Sequence, residues 1–419
     1  MDADSAPRRS RFLIDLSPLR EYREFRWLWT GELISEIGSW ISTTLVYIQV
    51  YRLSGQNNLA VGAVGLVQLI PLLFSSLLLG VLIDRHDRRR VLQVATAVQC
   101  LASVMLFFGA FTDLRSLAWV YVATGLTAGA GGVAHSARVA ITPSLVSEEL
   151  LPSAISLNQV MWNSALIAGP ALGGLIAGSS LALGYAIDVV SFIAVFFGVW
   201  ALRPRPPAVT VNSDLGRGSG LSGLRYVRRQ RVLIGSFGID LVAMTFGMPR
   251  ALFPSLAASR FDVGERAVGY LLSAISVGAL VGSLSSGWTR TVRRQGRAVV
   301  IAVMVWGVAI ALFAVSGASL WIAMVLLAVA GAADVVSAVF RGAILQRRIP
   351  EELRGRISGI HIAVVTGGPR LGDMEAGAVA SISSVTTSVL SGGLACVVGA
   401  AVVAIALPEF WEECTRAPG

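Results

Sequence analysis

Segments of about 20 apolar residues, the length a helix needs to cross a hydrocarbon core of roughly 30 Å, recur along almost the whole chain. They lie near 28–52, 60–83, 91–111, 116–137, 153–177, 181–202, 233–257, 266–288, 298–316, 319–340, 357–382 and 386–407. In lipid the backbone must satisfy its own hydrogen bonds, so such segments fold as helices. The expectation is an all-α membrane protein with twelve transmembrane helices. A content of 54% hydrophobic and 14% charged residues over 419 positions is too apolar for an ordinary soluble protein of this length.

A net charge of +9 raises the question of nucleic acid, and the positions of the basic residues answer it. All 34 are arginine. With the N-terminus in the cytoplasm, the N-terminal tail, the alternate loops and the C-terminal tail hold all but six. Arg52, Arg115, Arg260 and Arg266 fall on the opposite side, and Arg250 and Arg370 fall inside helices. This positive-inside bias puts both termini in the cytoplasm and leaves nucleic-acid binding without support. The arginine-only composition, rich in Ala, Gly and Val, fits a bacterium of high GC content and its cytoplasmic membrane. MDADSAPRRSRF at the front reads as no removable signal. Cys100, Cys396 and Cys414 form no CxxC, so neither a disulfide nor a metal site is expected.

The stretch RPRPPAVTVNSDLGRGSGLSG (203–223) is rich in Pro, Gly and Ser and divides the chain. The expected organisation is a cytoplasmic tail over 1–27, a six-helix bundle over 28–202, a cytoplasmic linker over 203–232, a second six-helix bundle over 233–407 and a cytoplasmic tail over 408–419. Within the linker, LRYVRRQR is basic and amphipathic and is expected to lie on the membrane surface. The halves repeat. RVAITPSLVSEELLPSAISL (138–157) sets against RGAILQRRIPEELRGRISGI (341–360), placing Arg138 over Arg341, and IAGPALGG (167–174) sets against TGGPRLGD (366–373). Duplicated six-helix halves are a transporter architecture, with the substrate site expected between them near the midplane.

GVLIDRHDRRRVL (80–92) follows the second segment and combines Gly80, Asp84, Arg85, Arg88 and Arg89 in a Gly-x-Leu-x-Asp-Arg order. It resembles the signature loop of the major facilitator superfamily, with Asp87 where that pattern usually has glycine. The resemblance implies that the loop latches the outward-open state through the start of the eleventh helix, near Gly355 and Arg356. The equivalent loop of the second half, GWTRTVRRQGR (287–297), keeps the basic residues without the aspartate. AGPALGGLIAG (168–178), with Gly169, Pro170, Gly173 and Gly174, resembles the superfamily's exporter helix, with Ala165 in place of a preceding glycine. Its glycines allow a close helix approach and its proline removes a backbone donor. The arginine the superfamily places inside the fourth helix is not found in 121–137. Taken whole, residues 20 to 407 look most like the branch that holds siderophore exporters and macrolide efflux proteins.

Charges inside the apolar segments are the candidates for function. GGPRLGDMEAG (367–377) puts Arg370, Asp373 and Glu375 within one such segment. Three charges facing lipid would cost on the order of 8–10 kcal/mol, so they must face protein or a cavity. Arg370 and Asp373 are i,i+3 neighbours and are expected to pair, with Glu375 pointing elsewhere. The pair is read either as a structural tie or as a site where Asp373 exchanges a proton or cationic substrate for Arg370. In the first helix Glu32, Glu36, Ser39, Thr43 and Tyr47 form one polar stripe, expected to line the central cavity. Glu32 is nearer the cytoplasmic end, where plain solvation accounts for it, and Glu36 is deeper. Asp240 lies at a depth like theirs, and Asp334 and Asp188 are further intramembrane acids. Arg250, near the outer end, reads as a snorkelling side chain. Trp40, Tyr47, Trp162 and Phe246 offer aromatic surface for an amphipathic or cationic ligand.

No phosphate-binding loop of the Gly-x-x-x-x-Gly-Lys type exists in a chain without lysine, so ATP is not the expected fuel. None of His86, His135 and His361 belongs to a catalytic constellation. The reading is a monomeric transporter, not an enzyme and without a cofactor, that exports a small amphipathic drug or siderophore-like metabolite on the proton gradient. An importer or uncoupled facilitator of the same fold, or a non-transporting sensor, is the alternative.

Overall fold

The computed structural model describes residues 15–78, 86–203, 219–350 and 353–414. Its described residues form twelve long helices, named here α1 (Arg23–Leu53), α2 (Asn58–Leu78), α3 (Arg88–Phe111), α4 (Leu117–Ile141), α5 (Leu151–Ala177), α6 (Leu181–Trp200), α7 (Arg231–Phe246), α8 (Arg266–Leu284), α9 (Gln295–Ala314), α10 (Leu320–Arg348), α11 (Arg354–Ile382) and α12 (Val385–Ala406). Ten spans among the described residues are long and apolar enough to cross a membrane. The long helices outside that set are α1 and α11, the two that carry the polar stripe and the charged GGPRLGDMEAG segment.

Within the first half α1 packs on α5 and α6, α2 on α4, and α3 on α4 and α6. The second half repeats this with α7 on α11 and α12, α8 on α10, and α9 on α10 and α12. The halves meet along α2 with α11 and along α5 with α8. We call the end holding the α1–α2 turn the far face. Helices α4, α6, α10 and α12 all start there, and each opens on a serine whose hydroxyl accepts from a backbone N–H three residues on: Ser116, Ser180, Ser319 and Ser384. A serine at this position satisfies one of the orphan donors that begin a helix.

Three differences from the sequence expectation matter. Helices α4 and α10 continue beyond 137 and 340, to Ile141 and Arg348, so Arg138 and Arg341 lie inside helices and not in loops. The seventh segment is not one helix: α7 stops at Phe246, Pro249 precedes a 3-10 turn at Arg250–Leu252, and a helix resumes over Phe253–Arg260. Proline fixes the backbone and lacks a donor, so the break falls where it stands. The amphipathic linker segment is a helix, Ser219–Arg229, but one face is docked on the second half. Val227 is buried with Leu233, Phe237, Leu345 and Ile357, while Arg225, Arg228 and Arg229 are exposed.

The segment expected as a C-terminal tail is packed as far as Cys414. Phe410 is fully buried, and a Cβ on Gly235 would meet its ring at 2.6 Å. Glu413 pairs with Arg348, and Glu409 accepts from Arg231 at 3.0 Å. Removing a buried phenyl ring costs about 3–5 kcal/mol in typical cores. Phe410→Ala should therefore lower the melting temperature of the detergent-purified protein by several degrees, read by intrinsic tryptophan fluorescence. An unchanged melting curve would show that this segment adds nothing to the second half.

Candidate functional site

The charged segment of α11 lies where glycines let backbones touch. Gly372 faces Thr245 and Met244 of α7, where a Cβ would sit 2.6 Å from the Thr245 carbonyl. On its other side, Gly377 abuts Gly62 of α2, and Gly65 of α2 faces the Arg370 carbonyl. Asp373 is thereby held between the halves, with 0% of its surface exposed. Its Oδ2 accepts from the Tyr47 hydroxyl of α1 at 2.8 Å and pairs with Arg250 Nη2 at 3.0 Å.

The expected Arg370–Asp373 pair is thus corrected: Arg250 is the partner, and Arg370 Nη1 donates to the Thr366 carbonyl at 2.6 Å. Helical side chains lean toward the N-terminus of their helix, so an arginine placed before an aspartate leans away from it. Arg250 does not snorkel. The break after α7 turns it inward onto Asp373. Glu375 is half-buried on another part of α11, away from this cluster, as its helical position implied.

In the first half, Glu36 pairs with Arg138 of α4 at 2.8 Å, and Glu32 approaches the same guanidinium at 3.4 Å. α4 therefore carries one arginine, Arg138, just beyond the stretch 121–137. The sequence places it in a loop because the apolar run ends at 137 while the helix goes on. Glu32 is buried at 6% exposure, so plain solvation does not explain it. In the second half, Asp240 of α7 lies against Arg341 of α10, both buried. Asp334, half-buried, is on α10 as well, and its Oδ1, Ser337 Oγ and His361 Nδ1 have no hydrogen-bond partner among the described residues. The two pairs are related by the repeat: Arg138 over Arg341, and an acid of the half's first helix facing each.

Asp188 of α6 is a packing acid. Its Oδ2 accepts from the hydroxyls of Ser42 and Ser103, each at 2.7 Å. Farther along the first-helix stripe, Thr43 donates to its own helix at Ser39. The exporter-type helix uses two faces. Gly169 and Gly173 receive Trp40 and Ile41 of α1, while Gly174 meets Gly269 of α8, where a Cβ would lie 2.8 Å from the Gly269 Cα. Pro170 is inside α5, its carbonyl against Gly269. Gly80, Asp84 and Arg85 lie outside the described residues. Of the same loop, Arg88 donates to the Ala140 carbonyl at 3.0 Å and Arg89 to the Val199 carbonyl at 3.4 Å.

The described polar contacts between halves cluster toward the far face. They include Arg52 with Glu265, Tyr47 with Asp373, and Ser273 Oγ with the Ile167 carbonyl at 2.8 Å. Deeper toward the other face a cavity of about 530 Å3 is lined by Glu32, His135, Arg138, Asn158, Gln159 and Trp162. Trp40 stacks edge-on against Trp162 at 6.4 Å, so two of the expected aromatics stand beside it. No group of His, Cys, Asp and Glu fit to hold a metal occurs among the described residues.

Two repeated six-helix halves, each with an acid–arginine pair between its helices and the first pair beside a cavity, define a secondary transporter of the major facilitator fold. Residues 14–418 match the family described as transmembrane secretion effector, and the chain belongs to that family. It is 26% identical to the enterobactin exporter EntS of Salmonella typhi over 412 residues, 96% of each chain. The enterobactin exporter EntS of Escherichia coli O139:H28 is 25% identical over 407 residues, 95% of each chain. Among solved structures, the nucleoside transporter NupG shares the fold with a TM-score of 0.75 at 14% identity, over 93% of this chain and 100% of that one. The protein is therefore a multi-pass membrane transporter in contact with lipid and acting on a small molecule.

Proposed function

We propose that this transporter exports a small amphipathic molecule of drug or siderophore-like character across the bacterial cytoplasmic membrane, as a monomer and in exchange for protons. The observation that carries the reading is the repeat-related pair of acid–arginine contacts, the part-buried Glu36 with Arg138 and the buried Asp240 with Arg341, the first of them beside the 530 Å3 cavity. Arginine stays charged at any working pH, so a proton gained or lost in such a pair belongs to the carboxyl group. Protonating the acid releases the arginine to bind something else, which is the exchange an antiporter needs. The halves close on one another toward the far face, and rocking about those contacts would open the cavity to each side in turn. The direction of transport is supported by the two relatives named as enterobactin exporters and by the Gly169–Gly174 helix. The driving force is the proton gradient, with neither ATP nor a cofactor, and both termini lie in the cytoplasm.

The test uses inverted membrane vesicles energised to be acid inside, with a pH-sensitive dye. Macrolides, tetracyclines and catecholate siderophores are added in turn, to the wild type and to Glu36→Gln. Proton release on adding a compound, seen in the wild type and lost in the variant, is the expected result. Uptake of a labelled compound with no proton movement would make the protein an uncoupled facilitator and overturn the antiport.

A further inference from the structure

A second cavity lies apart from the one beside Glu32 and Arg138. An apolar groove of about 890 Å3 runs between α2, α3 and α4 on the outer surface of the first half. Its walls are Ile70 and Phe74 of α2, Val94 of α3 and Val122 of α4, all more than half exposed. The floor follows from small residues and a proline: Gly129 stands against Pro71, where a Cβ would sit 3.2 Å from the proline ring, and Gly125 lies over Val67. Two polar groups along the wall, Ser75 and Tyr121, are occupied within the protein. Ser75 donates to the Leu72 carbonyl and Tyr121 to the Ala60 carbonyl. Along α4 the lining runs from Tyr121 to Val133, about 18 Å at 1.5 Å per residue, a little more than one leaflet of a roughly 30 Å core.

One end of the groove carries charge. Arg90, in the first turn of α3, lines it and is exposed. Its neighbours Arg88 and Arg89 are committed to backbone carbonyls, whereas Arg90 has no ion-pair or hydrogen-bond partner among the described residues. An apolar channel one leaflet long, open to the bilayer and ending in an arginine at headgroup depth, fits one kind of molecule. We propose that the groove binds an anionic phospholipid, one acyl chain along α2–α4 and the phosphate at Arg90. A transported compound is a poorer occupant, since away from the Arg90 end the lining is apolar or already hydrogen-bonded. Basic residues at the cytoplasmic membrane surface favour anionic lipids by about 1 kcal/mol each, close to a fivefold preference.

Native mass spectrometry of the full-length protein in mild detergent tests this, with phosphatidylglycerol and phosphatidylethanolamine of identical chains supplied in equal amounts. The wild type should retain one phosphatidylglycerol in preference. Arg90→Gln should weaken that retention about fivefold, lower phosphatidylethanolamine less, and so abolish the preference between the two. Val94→Trp fills the groove from an exposed position, so folding is spared, and should cut retention of both lipids; Ile70→Trp is the independent second filler. Equal retention of the two lipids by the wild type overturns the headgroup site. Undiminished lipid in both folded tryptophan variants, or a second copy of the chain as the bound species, overturns the groove.

Discussion

Asp373→Asn should leave the protein in the membrane but lower its transport to less than a tenth. The amide can still accept from Tyr47, but it cannot neutralise Arg250. Stranding one member of a buried ion pair typically costs about 3–5 kcal/mol. That penalty falls on the arrangement in which Asp373 is sealed between α1, α2 and the turn after α7. The far-face closure loses population accordingly, by on the order of 150-fold at the lower figure, since each 1.4 kcal/mol is tenfold. Arg52 and Glu265 touch across the same closure, so cysteines placed at both positions in a background lacking Cys100, Cys396 and Cys414 report on it. Efficient cross-linking is expected in the parent and weak cross-linking with Asp373→Asn. Arg250→Met added to that variant should restore it by removing the stranded charge. Cross-linking that ignores Asp373 would end its role as an inter-half tie.

Gly174→Leu is the second large effect. At Gly174 any side chain meets the backbone of Gly269 at 2.8 Å, and backbone cannot turn aside as a side chain can. Overpacking costs about 1–3 kcal/mol for an added methyl or methylene group in a tight core, and leucine adds more than that. The α5–α8 contact should part, transport should vanish, and the two six-helix halves should keep their helical circular dichroism. Gly178→Leu is the control, at the C-cap that closes the same helix, where the nearest atom to an added Cβ is the flexible Arg266 guanidinium at 3.8 Å. If the Gly178 variant fails as badly as the Gly174 variant, close approach at this contact is not the reason.

Much of this was legible in the chain itself. Apolar runs located the helices because the period of burial in a bilayer is the bilayer's own thickness. The charged stretch 367–377 announced itself because charge in lipid is costly. What spacing could not show was the partner of Asp373, since sequence neighbours on a helix are three or four residues apart whereas Arg250 is brought in by the fold. Hydropathy failed at Arg138 and Arg341 for one shared reason: it reports where the apolar run stops, and helices α4 and α10 outlast theirs. A signal was nonetheless present. The repeat that set Arg138 over Arg341 also set Glu36 near Asp240, and an acid and a base duplicated together are candidates to face each other. The docked course of 408–414 left no such trace, because Phe410 is one aromatic residue among many.

The three intramembrane ion pairs have a consequence for the membrane voltage. Glu36 with Arg138 lies within the first half, and Asp240 with Arg341 and Asp373 with Arg250 lie within the second. A charge crossing the whole field costs about 2.3 kcal/mol per 100 mV. When one half rocks against the other, both members of each pair ride on the same rigid body, and the pair carries no net charge through the field. Voltage therefore does little work on these pairs as the empty carrier reorients. The electrical part of the driving force acts instead on what the cavity holds, the cargo and any proton bound there.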